Sequence, residues 1–315
     1  MAFADPPLAD AWPPLPLAAW RDTYATLHMW TQIVGKTRLA LAPMENHWWQ
    51  CTLYVTARGL GTTTMPSGST VLTVDFDFIA HELVLRTAQG GERRIALEPK
   101  SVARFHAQYL EALRSLGFEI ETMARPVEVE PAIPFAEDEA HTAYDRDAVH
   151  RWWRVLLQVD RVFKRFRSGF LGKQSPAHFF WGSFDLAVTR FSGRPAPRHP
   201  GGAPNCPDYV MVEAYSHECS SAGFWPGGGP VDEAAFYAYA YPEPEGYAGA
   251  AVQPAAAAYH PAAREFILPY EAVRTAADPD ATLLRFLQGT YEAAAVHGRW
   301  DRAALERTLD HRGRT

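Results

Sequence analysis

Two stretches of the chain place ionisable side chains where a purely structural strand would carry valine or threonine: HFFWGSFDLAVTRF (178–191) and YVMVEAYSHECSS (209–221). Between them they hold His178, Asp185, Arg190, Glu213, His217 and Glu218. Such groups are costly to bury unless they are paired, liganded or used. Read as a strand, 209–221 sends Glu213, Tyr215 and His217 to one face at period two; read as a helix, Glu213 and His217 share a face at i, i+4. Either way a carboxylate and an imidazole converge, with Glu218 next in line. His178, Glu213 and His217 together are two imidazoles and one carboxylate, the ligand types of a zinc or non-haem iron site with open positions. The chain has no HExxH or HxH pattern to reinforce a divalent metal. Without a metal, Glu213 and His217 serve as acid and base, or simply satisfy each other as a buried pair.

Asp185 sits between Phe184 and Leu186 and shares a strand face with Ser183, Ala187 and Thr189, while Arg190 points the other way. A carboxylate there either meets a cation across the sheet, the simpler reading, or acts as a base whose pKa its apolar neighbours raise. The candidate catalytic set is therefore Glu213, His217, Asp185 and Glu218. In FYAYAY, Tyr237, Tyr239 and Tyr241 face away from Phe236, Ala238 and Ala240. Three phenols suit a cavity wall, each with an apolar ring and a polar tip, or a half-exposed edge strand. With Trp181, Arg190 and Tyr215 they are the candidate substrate-holding residues. Cys219 lies two residues from His217, but adjacent positions on one strand rarely give nucleophile geometry. GFWPGGGP (223–230) lacks the Lys-Ser/Thr ending of a P-loop and reads as a loop that permits close backbone approach.

The elements that must position these groups follow from periodicity. Trp20, Tyr24, Leu27 and Val34 form a helical stripe, NHWWQCTLYVTARGL (46–60) reads as a strand, and TVLTVDFDF alternates with Asp75 and Asp77 outward. HELVLRTAQGGERRIAL reads as a hairpin about Gly90 and Gly91. Ser101 stands where an N-cap belongs, ahead of a helix closed by Gly117. The Pro- and acid-rich stretch 126–139 is the candidate linker. After it come a helix with Trp152, Leu156, Val159, Phe163 and Phe166 on one stripe, further strands including EFILPY, and a helix opened by Asp278-Pro279. The tail from Asp301 reads as a short helix and a charged end.

Both halves thus run helix, loop, aromatic strand, further strands, closing helix. LYVT and LAVT recur at an offset of 189 − 56 = 133, His47 and His178 at 178 − 47 = 131, and HELVL and REFIL at 264 − 81 = 183. The expectation is an α+β fold of two similar halves, 1–140 and 141–315, each an antiparallel sheet packed by long helices, related by internal duplication and with a cleft between.

Composition narrows the function classes. With 47% hydrophobic and 13% aromatic residues the chain can build real cores, and a net charge of −6 disfavours nucleic acid and anionic membranes. Three widely spaced cysteines form neither a disulfide framework nor a metal knuckle, so a cytoplasmic protein with reduced thiols is expected. The N-terminal stretch lacks a signal-peptide pattern, and no apolar run spans a bilayer. In LHMWTQIVGKTRLALAP, NHWW, SPAHFFWGSFDLAVTRFSGR, EAYSHE and FYAYAYPEPEGY the chain resembles, over nearly its whole length, a widespread group of bacterial proteins known only as a domain of unknown function. That resemblance implies no activity, substrate or cofactor. The residues themselves point to an enzyme acting on a small, partly apolar organic molecule, with a His/Glu pocket open to zinc or iron. The alternatives are a non-catalytic binder with an aromatic pocket, or an interaction scaffold.

Overall fold

Helical stripes and strand alternation build a mixed α+β chain in the computed structural model, which describes residues 11–228 and 231–307. The N-terminal leader, the end of the charged tail, and Gly229 and Pro230 of the glycine-rich run lie outside the described residues. Six helices matter to the site: α1 (Arg21–Leu41), α2 (Val102–Ser115), α3 (Arg146–Ser168), α4 (Asp208–Ala214), α5 (Tyr270–Arg274) and α6 (Pro279–His297). Their starts are chemically specified. Ser101 accepts from the backbone N–H of Arg104, Asp145 from those of Asp147 and Ala148, and Asp278 from that of Ala281, ahead of a first-turn proline. Among the described residues no helix is long and apolar enough to cross a membrane.

The first antiparallel sheet holds β1 (Tyr54–Val55), β2 (Gly59–Gly61), β3 (Met65–Ser67), β4 (Thr70–Asp77), β5 (Glu82–Thr87) and β6 (Glu92–Ala96), in the order β1-β2-β4-β5-β6 with β3 also on β4. The second holds β7 (His178–Phe180), β8 (Asp185–Pro195), β9 (His217–Trp225), β10 (Ala235–Tyr241), β11 (Ala258–His260) and β12 (Glu265–Pro269), in the order β11-β12-β10-β9-β8-β7. The apolar core is continuous between them. Trp152 of α3 stacks on Phe184 of the second half at 4.8 Å and meets Phe78 of the first at 5.8 Å.

Local structure departs from the periodicity in four places. Residues 46–51 form 3-10 turns with His47 and Trp48 at φ of 60° and 62°, and the rest of the strand expected over 46–60 folds back on itself as β1 paired with β2. HFFWGSFDLAVTRF is a hairpin rather than one strand: residues 181–184 turn, and Phe184 at φ 60° leads into β8. The 209–221 stretch divides into α4 and β9, because the chain leaves Pro207 in a helical turn and Tyr215–Ser216 then breaks it. The stretch expected as a linker is a packed strap: the Val127 backbone exchanges hydrogen bonds of 2.9 and 2.8 Å with the Gln32 side chain, and Phe135 and Asp138 are buried. The HELVL and REFIL likeness is a likeness of hairpins, since His81 and Arg264, like Phe184, each end a four-residue turn at positive φ before a strand.

Register across the second sheet sorts its side chains into two faces. Thr189, Ser221 and Tyr239 lie side by side, as do Ala187, Gly223 and Tyr237, and Phe191, Cys219 and Tyr241. The alternate residues Leu186, Val188, Phe224, Phe236, Ala238 and Leu268 are buried in the core on the other face.

Candidate functional site

The odd-numbered face of the second sheet is the floor of a cavity of about 400 Å³. Asp185, Thr189, Ser221, Tyr237, Tyr239 and Glu265 contribute from four strands, β8, β9, β10 and β12, and the roof comes from three separate segments. The first is the 46–51 turn with Trp48 and Trp49, the second is the strap at Glu128, and the third is α4 with the loop before it. These segments are pinned to one another. Trp48 Nε1 donates to the Val210 carbonyl at 3.0 Å, the His47 backbone N–H donates to Glu213 Oε1 at 3.0 Å, and the Glu128 N–H donates to the Pro204 carbonyl at 2.7 Å. Buried His28 on α1 donates from Nε2 to the carbonyls of Trp181 and Gly182, which holds the turn that ends at Asp185. Of the nine described non-glycine residues with positive φ, His47, Trp48 and Glu128 line the cavity and Phe184 immediately precedes Asp185. A bulky residue held there costs on the order of 1–3 kcal/mol, and such strain concentrates where geometry is functional.

The polar groups in this apolar enclosure form two chains. Tyr237 donates its hydroxyl to Asp185, and Gly223 makes that reach possible: a Cβ there would lie 2.3 Å from the Tyr237 ring. Tyr239 and Tyr215 share a 2.7 Å hydroxyl contact, and Thr189 and Ser221 share one of 2.9 Å beside them. Three carboxylates border the space. Asp185 is only 7% exposed, and burial pushes its pKa up to about 7, against the Tyr237 hydrogen bond that favours ionisation. Burial likewise pushes Glu265 up to about 7, and raises Glu128, whose carboxylate accepts from Ser183. No lysine or arginine lines the cavity among the described residues. Lys36 stands behind Trp181 and Lys173 behind Trp49, with Nζ 5.4 and 5.5 Å from the ring centres. His47 at the rim is kept neutral by burial and by Lys173, whose Nζ lies 2.7 Å from Nε2.

The structure gathers some of the residues singled out by sequence and disperses others. Asp185, Trp181, Tyr215, Tyr237 and Tyr239 all line the cavity. The set His178, Glu213 and His217 is not brought together. His178 faces Ala187 from edge strand β7, buried under Trp49 and Tyr54, with its pKa lowered to about 3 by burial and then by Arg38 and Arg167. His217 pairs with Pro195, beyond the β-bulge and eight residues further along β8 than the Ala187 that His178 faces, with the His47 and Trp49 rings between the two imidazoles. Glu213 belongs to α4 and caps the His47 backbone instead. Among the described residues no group of three or more His, Cys, Asp or Glu is disposed to hold a metal ion.

Glu218 is neutralised by Arg194 at 2.6 Å and accepts from Ser192. Arg190 lies on the opposite face, its guanidinium 3.4 Å from the centre of the Phe166 ring and 4.3 Å from that of Tyr291. Tyr241 sits at the margin, donating to the Pro197 carbonyl. Two carboxylates that sequence reasoning passed over complete the site. Glu265 opens EFILPY and is opposite Tyr239, a relation that only the β10–β12 register reveals. Glu128 lies in the stretch that composition marks as a linker.

Comparison with known proteins adds a family and nothing more specific. The model of DUF5996, a family of unknown function, matches residues 12–307. No curated protein and no solved structure matches the chain.

Proposed function

We propose a ligand-binding role for this chain, which belongs to the DUF5996 family of unknown function: its second sheet holds a small, partly apolar organic molecule in the cavity between β8–β12 and the α4 roof. One observation carries this reading. A cavity of about 400 Å³ rich in aromatic side chains contains a carboxylate, Asp185, that meets no cation and is positioned by a tyrosine hydroxyl. Pockets of this size with few polar groups suit small molecules. Asp185 and Tyr237 orient the ligand, Trp181 and Tyr239 flank it, and Tyr215 closes the α4 side. Nucleic acid is not the partner, given the net charge of −6. Cys51, Cys206 and Cys219 are all free thiols, which supports a reducing, cytoplasmic setting.

A second reading, that the pocket is catalytic, is favoured by Asp185 itself. A buried carboxyl with a pKa of about 7 exchanges protons readily at neutral pH, so Asp185 would be the general acid or base and Tyr237 its partner.

The binding role is tested by filling the floor. Ala187 is buried at the cavity base between Asp185 and Thr189, and Ala187→Phe should occupy the space. Titration of the parent chain with neutral 2-phenylethanol should change the fluorescence of the tryptophans that wall the pocket, and the variant should lose that response. Equal responses from parent and variant would sink the reading.

A further inference from the structure

The carboxylates of the cavity specify the charge of what it holds. Asp185, Glu128 and Glu265 border one enclosure, and each interacts unfavourably with another: Asp185 feels the negative charge of both Glu128 and Glu265. On the same sheet Glu218 has Arg194 at 2.6 Å, whereas no lysine or arginine lines the cavity beside these three among the described residues. Tyr237 is the one other residue that donates to Asp185, and Glu265 has neither a hydrogen bond nor an ion pair among the described residues. Asp185 is more than nine-tenths buried and directed into the cavity, so the missing partner has to come from the contents of the cavity. A metal ion is a poor candidate for that partner, because the three carboxylates are spread around the walls and do not converge as a ligand set. An organic cation needs no such convergence. One face of its body rests on aromatic rings while its N–H groups reach separate carboxylates.

The walls fit such a body. Trp48, Trp225, Tyr237 and Tyr239 line the space, and Tyr237 and Tyr239 are stacked with ring centres 6.1 Å apart and an interplanar angle of 12°. A cation within ~6 Å of a ring centre is drawn to the ring's negative face, more strongly as water is excluded. A buried carboxylate against an ammonium forms a hydrogen bond about twice as strong as a neutral one. Lys36 and Lys173 do not substitute for the ligand: their heads lie behind Trp181 and Trp49, directed at those rings and paired with none of the three acids.

Resting on the reading of this cavity as a ligand site, we propose that its ligand is a small organic cation, a protonated amine on an apolar or aromatic body, held by Asp185 and Glu265 at the ammonium and by the tryptophan and tyrosine faces along the body. Tyr237 fixes the Asp185 carboxylate so that its remaining acceptor capacity is turned to the amine. Glu128, on the strap and tied to Ser183 just before Asp185, adds to the anionic character that repels carboxylate-bearing compounds.

Three compounds of one skeleton separate this proposal from the reading beneath it. Titration calorimetry of the full chain at pH 7.5 compares 2-phenylethylamine, which is cationic, with neutral 2-phenylethanol and anionic 3-phenylpropanoate. The amine should bind about tenfold or more tightly than the alcohol, and the acid more weakly still. Asp185→Asn and Glu265→Gln should each lower amine affinity about tenfold while leaving the alcohol within a factor of about three. If alcohol and amine bind equally, or the acid binds best, the cavity stands and the cation proposal falls. If none of the three binds, the ligand-binding reading falls and the cation proposal with it. The parent-chain comparison decides the charge preference even if a variant proves unstable.

Discussion

On the first sheet, Asp75, Asp77, Glu82 and Glu92 are met by Arg58, Arg86 and Arg94 at 2.5–3.2 Å. On the second, Asp185 and Glu265 occupy comparable strand positions and meet no arginine. The strands are of the same kind and the acids are of the same kind; what differs is the solvent. The arginines of the first sheet are about half exposed, so its acids lie in a solvated, charge-paired array. Asp77 shows the balance: burial would raise its pKa, but Arg58 and the N–H groups of Ala80 and Ile79 hold it below the usual value. The second-sheet acids lie under a roof, where desolvation has nothing comparable to oppose it. The second sheet pairs Glu218 with Arg194 outside the cavity, yet inside it Asp185 and Glu265 meet no arginine, which is the contrast the proposed cationic ligand accounts for.

The largest consequence is a pH dependence confined to the second sheet. For Asp185 and Glu265 the folded pKa, about 7, lies above the ordinary carboxylate value. Their contribution to stability is therefore fully present below about pH 4 and lost as pH rises through about 7. The Asp185→Asn, Glu265→Gln double variant should be more stable than the parent at pH 8, by an amount on the order of a few kcal/mol, with the difference vanishing near pH 4. The groups facing Asp185 are Tyr24, Tyr237, Glu128 and Glu265, and none of them supplies a cation. Buried His28 and His178, lowered to about 4 and about 3, act in the opposite sense below pH 6.5. The telling measurement is thus the variant-minus-parent difference in unfolding free energy across pH 4 to 8. A flat difference would remove the contrast between the sheets.

A smaller effect probes how the second sheet aims its carboxylate. Gly223→Ala places a methyl 2.3 Å from the hydroxyl end of the Tyr237 ring, so that the phenol has to move. Overpacking of this kind costs about 1–3 kcal/mol. Because the displaced phenol no longer reaches Asp185, the variant should also lose affinity for 2-phenylethylamine. A variant that is destabilised yet binds the amine as the parent does would show that Tyr237 has no part in positioning.

The same contrast explains what could be read before the structure. Alternation within one strand correctly put Asp185 on the face of Ala187 and Thr189, and the three tyrosines of FYAYAY together, because side-chain direction in a strand is a local property. The caps at Ser101 and Asp278 were legible for the same reason. What failed needed register or tertiary support. His178 and His217 share a sheet but stand far apart along it, and only the β7–β8–β9 pairing fixes that distance. The 209–221 stretch satisfies a helical and a strand period alike, and the helix is stabilised there by Trp48 and His47 from the other half. Glu128 lies among prolines that elsewhere mark free chain, whereas here Gln32 binds the strap from α1.

The least effect is expected on the first sheet, and it serves as the control. Asp75 is near Arg86, and two influences on it oppose each other: burial raises its pKa and Arg86 lowers it. Asp75→Asn relieves the first and forfeits the second, and an exposed pair of this sort contributes only about 0.2–1 kcal/mol. The variant should unfold within about 0.5 kcal/mol of the parent at every pH between 5 and 8, and leave amine binding unchanged, since Asp75 borders no part of the cavity. If instead it reproduced the pH-dependent gain expected of Asp185→Asn, the unpaired charge would be a general property of this chain's strands, and the cavity would have no special claim on it.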